Sequence, residues 1–389
     1  MKQQLAISWR EVRMTEKITN LLKKQIVAIV LAIVCGFIVA AIILSAAGYS
    51  PVEAFSALFR GIYSKPKYIA NTIIKSTPII LTGLSVAFAF KTGLFNMGAE
   101  GQYIMGTIAS VTVGVLFDFP PVIQIPMILL AGIAAGALYG AIVGVLKAYF
   151  GIHEVITSIM LNWIALYFNN FVVNIKALHK ENTTGTYPIN ESGYIVFFDQ
   201  MKRTREGQAT LKEHPFWGDI ILRTDFNAGI FIAIVAVIVV MLLLKYTSKG
   251  YQLKAVGLNM EAAEFAGIPV KKNILHSMLI AGGIAGLAGA LVITGMTPHK
   301  LGILPMFENY GWNGVSVALI AGNSPIGCLF AGLLFGGFLY GGQTVQSEVG
   351  APSEIINIML GTIVFFVALS KAVVILSEKL EKRGKKHGK

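Results

Sequence analysis

Apolar runs long enough to cross a bilayer recur along the whole chain and leave room for few other architectures. A helix needs about 20 apolar residues to span the hydrocarbon core. Ten runs reach or approach that length, at about 26–47, 69–90, 103–117, 123–146, 155–174, 226–245, 274–296, 309–323, 326–346 and 354–376. In lipid each backbone polar group must be satisfied within its own segment, so such runs are helices. The expected fold is therefore an all-α integral membrane protein of about ten transmembrane helices. The third and eighth runs are short, which suits broken or partly re-entrant helices. Composition agrees: the 389 residues are 55% hydrophobic and 13% charged, far too apolar for a soluble protein. No early cleavage site of the A-x-A kind follows the first run, so 26–47 reads as a retained span rather than a signal peptide.

Charge orients the chain. With both termini cytoplasmic, 20 of the 32 Lys and Arg fall inside, 7 in one long external loop and 5 elsewhere outside. Long loops translocate with little regard to charge, so the useful comparison is 20 against 5. This gives a basic cytoplasmic N-terminus at 1–25, a transmembrane domain at 26–376 and a basic cytoplasmic tail at 377–389 that suits anionic headgroups. The external loop covers about 174–225, and the main cytoplasmic loop about 246–273. The net charge of +12 thus reports topology, not a nucleic-acid-binding face. The external loop either folds into a small cap or is a poorly ordered connection. Its position after the fifth span divides the chain into two five-helix halves, and their parity fits an inverted repeat.

Small and polar residues within the spans suggest packing and a path. Gly132, Gly136, Gly140 and Gly144 form one smooth helical stripe that lets a neighbouring backbone approach closely. Gly282 with Gly286, Gly332 with Gly336, and Gly337 with Gly341 repeat the spacing. The segment KTGLFNMGAEGQ at 91–102 places Asn96, Glu100 and Gln102 among glycines. A carboxylate near mid-bilayer costs about 2.5–3.5 kcal/mol on insertion scales, so Glu100 must face protein or water. A role in conduction and a role in satisfying a broken helix's backbone stand equally. Asn162 and Asn169 lie seven residues apart on one helical face, fit either to bond neighbouring helices or to meet a polar solute. His153 and Glu154 open that span at the interface, with Glu154 complementing the helix dipole. Asn313, with Tyr310 and Trp312 nearby, offers further hydrogen bonds and aromatic surface.

The segment GLNMEAAEFAGIP at 257–269 is a short helix with complete end signals. Asn259 is a good N-cap, Glu261 suits the first turn, Gly267 sits at C′ and Pro269 stops the helix. About seven helical residues, roughly 10 Å, are unstable alone in water. Caps this complete suggest a helix held against something, although a plain connector would also use them. Other chemistry is missing from the sequence. There is no GxxxxGK[ST] phosphate loop, no HExxH, no GxSxG, and neither Cys35 nor Cys328 belongs to a metal-type spacing. Nothing points to an enzyme, a metal or a cofactor.

FNMGAEGQ (95–102), HEVITSIMLNWIA (153–165), AVGLNMEAAEFAGI (255–268) and GWNGVSVALIAGNSPIG (311–327) occur in that order. Together they resemble the branched-chain-amino-acid and ribose-type permeases of ABC importers, and in particular their nucleoside-uptake branch. Trp163 and Val315 depart from the usual residues of those motifs without undermining the match. The resemblance implies a bacterial cytoplasmic-membrane permease working with a separate ABC ATPase, a second related permease and an extracytoplasmic lipoprotein that binds substrate. It also implies that Gly257, Asn259, Glu261, Ala262, Ala263, Glu264 and Gly267 form the loop that couples to the ATPase. A nucleoside would pass between the two permeases, and Asn96, Glu100, Gln102, Asn162, Asn169 and Asn313 are the candidate path residues. The alternative substrate is a simple sugar. An ion-coupled secondary transporter would bury coupling groups deep in the bundle, whereas these spans hold very few carboxylates. The ordered polar motifs argue against a purely structural membrane protein.

Overall fold

The computed structural model describes residues 25–369, so the basic N-terminal segment up to residue 24 and the basic tail lie outside the described residues. Helices α1 (Gln25–Ala46) and α2 (Pro51–Tyr63) lead into α3 (Pro66–Phe90). Then come α4 (Ala99–Leu116), α5 (Pro121–Phe150) and α6 (Glu154–Val173). The next segment contains three short helices, α7 (Asp199–Arg203), α8 (Arg205–Glu213) and α9 (Pro215–Arg223). After α10 (Gly229–Tyr246), two more short helices follow, α11 (Ser248–Leu258) and α12 (Met260–Phe265). The last four are α13 (Val270–Gly295), α14 (Tyr310–Ile320), α15 (Pro325–Val349) and α16 (Ser353–Ala368). Helices α2, α3, α5, α9 and α15 open on proline, whose missing N–H is an orphan in the first turn anyway. Among the described residues there are no ladders of strands, only three isolated β-bridges.

Among the described residues, six helices are long and apolar enough to cross a membrane: α3, α5, α6, α10, α13 and α15. The remaining four expected runs are also helical, as α1, α4, α14 and α16, with 370–376 of the last run outside the described residues. With 11 residues, α14 extends only about 16 Å, roughly half a hydrocarbon core. The expected spans did not include α2, which is amphipathic and carries Glu53 in its first turn and Arg60 in its last, as the helix dipole favours.

The chain divides into two compact units, Met1–Arg60 with Gly341–Lys389, and Gly61–Tyr340. In the first, α1 packs along α16, where a Cβ on Gly36 would stand 2.9 Å from the Ile363 Cα. Arg60 pairs with Glu348 at 2.6 Å, and Phe37 meets Phe55 edge-on at 5.0 Å between ring centroids.

In the second unit, α3 and α13 are buried along most of their length, while α5, α6 and α10 each bury a single stripe. The stripe of α10 is Gly229, Ala233, Val237, Val240 and Leu244. Its other faces expose Phe231, Val235, Ile238, Val239 and Leu242. A helix apolar on every side but buried on one is suited to lipid on the rest. The protein is thus a multi-pass membrane protein.

The tightest helix pair is α5 against α13. A Cβ on Gly136 or Gly140 would run into the backbone carbonyl oxygens of Gly282 and Met278, and one on Gly132 would meet the Ala290 Cβ at 2.8 Å and Ser110 Oγ at 2.7 Å. One on Gly144 would stand 3.0 Å from the Leu275 Cα. On the facing helix, Gly282 and Gly286 are equally crowded by Gly136 and Gly132. Two glycine stripes therefore meet backbone to backbone, which replaces side-chain burial as the source of packing energy in lipid.

The segment between α6 and α10 is an ordered cap. Ile189 and Ile195 donate their backbone N–H to the carbonyls of His299 and Thr294 at 2.9 and 3.0 Å, and Asn190 donates to Gly114 at 2.9 Å. The Asp219 carboxylate accepts from the Lys67 backbone N–H at 3.2 Å.

Candidate functional site

Two helices, α4 and α14, begin inside the second unit, and one carboxylate serves both. Glu100 lies in the first turn of α4 and is 1% exposed. Its Oε1 accepts from the Asn309 backbone N–H at 2.9 Å, and its Oε2 accepts from that of Gly311 at 2.5 Å. These are donors at the start of α14, so the two carboxyl oxygens stand between the N-terminal ends of two helices. Nearby, Asn96 and Gln102 exchange side-chain hydrogen bonds at 2.8 and 3.0 Å. The Asn96 amide also donates to Ser85 Oγ at 3.0 Å, and Ser85 donates to the Ala281 carbonyl at 2.6 Å. Asn162 Oδ1 accepts from the Gly101 N–H at 2.8 Å, while its Nδ2 donates to the Met97 carbonyl at 2.9 Å. Asn96, Glu100, Gln102 and Asn162 therefore join one network that ties the α3–α4 break to α6, α13 and α14.

Asn169 belongs elsewhere. It shares the buried stripe of α6 with Asn162, but donates to the Gly302 carbonyl at 3.0 Å. Next to it, Asn170 accepts from the Leu304 N–H at 2.7 Å and donates to its carbonyl at 2.9 Å. These bonds fold the α13–α14 connection back against α6. Behind it lies a cavity of ≈ 170 Å³, whose polar lining includes Lys75, Tyr103, Thr107, Asn169, His299 and Glu308. Tyr103 donates to Glu308 Oε2 at 2.9 Å, and its ring lies 5.1 Å from that of Tyr310. Asn169 Oδ1 is buried with no hydrogen-bond partner. Asn313, half-buried on α14, joins neither the network nor the cavity.

His299 anchors the cavity's wall to the cap. Burial pushes its imidazole below the ordinary histidine range, so it is neutral near pH 7. Its Nδ1 lies 2.8 Å from the Ile293 carbonyl, which can only accept, so that nitrogen bears the proton. The ring stacks on Tyr194 at 4.0 Å. Sequence reasoning did not select Lys75, Tyr103, Thr107, His299 or Glu308. Lys75 offered a signal, since a lysine inside an apolar run is costly in lipid.

The α10–α13 connection forms a second candidate surface. Thr247 caps α11 by accepting from the Gly250 N–H at 3.0 Å. Asn259 caps α12 by accepting from the Ala262 N–H at 2.9 Å. At the other end Ile268 donates to Ala263 at 3.0 Å and Gly267 donates to Glu264 at 2.9 Å. With Gly267 at φ +79°, this is a Schellman closure. Ala263 is buried, whereas Glu261, Ala262 and Glu264 are exposed. Leu258 is 88% and Phe265 97% exposed. Gly257 seats α11 on the turn after α3, since a Cβ there would lie 2.9 Å from the Gly93 nitrogen. Lys147 and Glu154 pair at 2.8 Å across the α5–α6 turn, where His153 caps α6 through Val155.

Residues 68–369 match the family described as the permease component of branched-chain amino acid transport systems. The chain belongs to this permease family. It is 38% identical to the guanosine ABC transporter permease NupP of Bacillus subtilis, over 91% of this chain and 96% of that protein. It is 35% identical to the nucleoside ABC transporter permease NupB of Lactococcus lactis, over 93% of this chain and 98% of that one. The glucose ABC transporter permease TsgB13 of Haloferax volcanii is 29% identical, over 88% of this chain and 87% of its own. No solved structure matches the chain. The permease is a transport protein rather than an enzyme.

Proposed function

We propose that this permease is the membrane subunit of an ATP-driven importer that carries nucleosides across a bacterial cytoplasmic membrane. The observation that carries the substrate reading is the similarity, along nearly the whole of both chains, to permeases named for guanosine and for nucleosides. A sugar substrate ranks second because the glucose permease is more distant. The assembly we infer contains an ABC ATPase, a second related permease and an extracytoplasmic lipoprotein that delivers the nucleoside. Ten spans with both termini cytoplasmic, arranged as two inverted five-helix halves, fit the excess of basic residues on one side.

In this reading α12 docks on the ATPase. Its support is the pairing of a rigid, doubly capped helix with two nearly fully exposed apolar side chains, Leu258 and Phe265. On the membrane side, Lys75 and Glu308 are exposed polar groups that lipid would not tolerate. They suit a face turned toward the second permease and the substrate path. Asn169, beside the cavity, is on that path, while Asn96, Glu100, Gln102 and Asn162 hold the half-helices that shape it. Asn313 joins the path from α14. The test is uptake of labelled guanosine and glucose by proteoliposomes holding the complete importer, with and without ATP. ATP-dependent guanosine uptake is expected; uptake of glucose alone, or uptake by the permease with no ATPase, would overturn the reading.

A further inference from the structure

The cavity beside Asn169 is partly open, and its lining holds two opposite charges that make no contact with each other. Lys75 and Glu308 both line it, and both are exposed. They attract one another, yet no hydrogen bond or ion pair joins them among the described residues. Tyr103 fixes one oxygen of Glu308 by donating to Oε2 at 2.9 Å, while Oε1 accepts nothing among the described residues. Lys75 has only donors to offer, and none of them has a partner among the described residues. We propose that Lys75 and Glu308 read the base of the nucleoside in transit and favour guanine and hypoxanthine over adenine and uracil; the proposal rests on the nucleoside reading.

The order of polar groups along the base makes the choice. Guanine presents N7 and O6 as acceptors, followed by N1–H and its 2-amino group as donors. A cation beside an anion matches that run, with the ammonium on O6 or N7 and the carboxylate on N1–H. Lysine on guanine O6 and N7 is a pairing that base geometry favours generally. Hypoxanthine keeps both acceptors and the N1–H donor, and cytosine shares the separation with a single donor group. Adenine and uracil alternate acceptor, donor, acceptor, so neither offers each charge a block of its own. A phosphate would meet Lys75 and Lys300 but also Glu308, the only carboxylate on the lining. A neutral ring with an acceptor side and a donor side satisfies both signs. Hydrogen bonds to charged groups are roughly twice as strong as neutral ones, so the pair discriminates more than amides would.

The complete importer, with its ATPase, partner permease and binding protein, is reconstituted with wild-type permease or with Glu308→Gln, Lys75→Met or Lys75→Arg. Initial uptake is measured for guanosine, inosine, adenosine and uridine. Each rate is divided by that of the wild type for the same nucleoside, so the binding protein's own preference cancels. For Glu308→Gln and Lys75→Met, the ratio of guanosine to adenosine or uridine is expected to fall about tenfold, the size of one charge-assisted hydrogen bond. Inosine should fall with guanosine. Lys75→Arg keeps the cation and should stay closer to the wild-type ratio than Lys75→Met. If one variant does not assemble, the other provides the same comparison. Where the wild type carries neither adenosine nor uridine, unlabelled nucleosides loaded inside the vesicles reach the permease without the binding protein. Guanosine inside should then slow guanosine uptake more than adenosine does, and Glu308→Gln should remove the difference. Equal effects on all nucleosides in assembled variants, as a pair that only joins the partner permease would give, or unchanged rates, would overturn base reading while leaving nucleoside transport intact. A wild-type importer that moves sugars but no nucleoside would overturn both.

Discussion

At the residue scale, Glu100 and Asn162 serve the backbone of broken helices in this permease. Asn162 is the clearest case, because it accepts from Gly101 and donates to Met97 on opposite sides of the α4 N-terminus. Asn162→Leu would leave both backbone groups buried and unpaired, at about 1–3 kcal/mol each. The expected result is a clear fall in melting temperature in detergent, together with lower uptake. Transport loss at unchanged melting temperature would instead give Asn162 a direct role with substrate. Asp225 makes a comparable argument in the cap. Burial raises its carboxyl pKa, but hydrogen bonds from Thr297 and the charge of Lys202 outweigh that and hold it below the ordinary carboxylate range. Because the folded value is depressed, its stabilisation is complete above the unfolded value of about 3.9 and disappears as pH falls through the lower folded one. Asp225→Ala should therefore speed limited proteolysis of the cap at pH 7, and the ratio of variant to wild-type rates should be the same at pH 5, where both proteins share the acid loss that buried, neutral His299 brings.

At the element scale, the α5–α13 pair depends on glycine. A leucine at Gly136 would drive its side chain into Gly282 and Gly286, whose Cα would stand 2.7 Å from the new Cβ. Gly136→Leu should abolish monodisperse protein in size-exclusion chromatography, whereas Gly361→Ala, which meets nothing within 4 Å, should purify normally. Normal assembly of the first variant with loss of transport alone would move the stripe from packing to the path. That stripe was legible in sequence because a four-residue glycine period is a local signal. So were the ends of α12, since N-cap and C′ residues act on the turn they adjoin. Five helices were not foreseen: α2 is amphipathic, α7, α8 and α9 are short helices of the cap, and α11 is short and no apolar run, although its Thr247 cap was readable. The cavity was hidden for a different reason. Its lining comes from α3, α4, α6, α13, α14 and the α13–α14 connection, and no local pattern announces that this connection folds back. Polar residues marked in the sequence as path candidates split accordingly, with only Asn169 lining the cavity.

At the scale of the whole molecule, the proposed docking of α12 on an ATPase raises the question of how movement there would reach the half-helices. Gly257 ends near the turn at 91–93, and that turn leads directly into Asn96 and Glu100. A displacement of α12 would be passed through rigid contacts rather than through a flexible tether. This route predicts two different defects. Phe265→Asp removes an apolar side chain that is 97% exposed and touches little within the chain, so folding should be unaffected. ATPase association should weaken, and uptake and hydrolysis should fall together. Gly267→Val acts on the helix itself, because φ +79° resists a β-branched residue and the Schellman closure would open. The ATPase should still bind a loosened α12, and hydrolysis should continue while guanosine uptake drops at least tenfold. Side-by-side measurement of hydrolysis and uptake in one vesicle preparation separates these outcomes. Full uptake with Gly267→Val would show that the closure of α12 transmits nothing, and the rigid route would have to be abandoned.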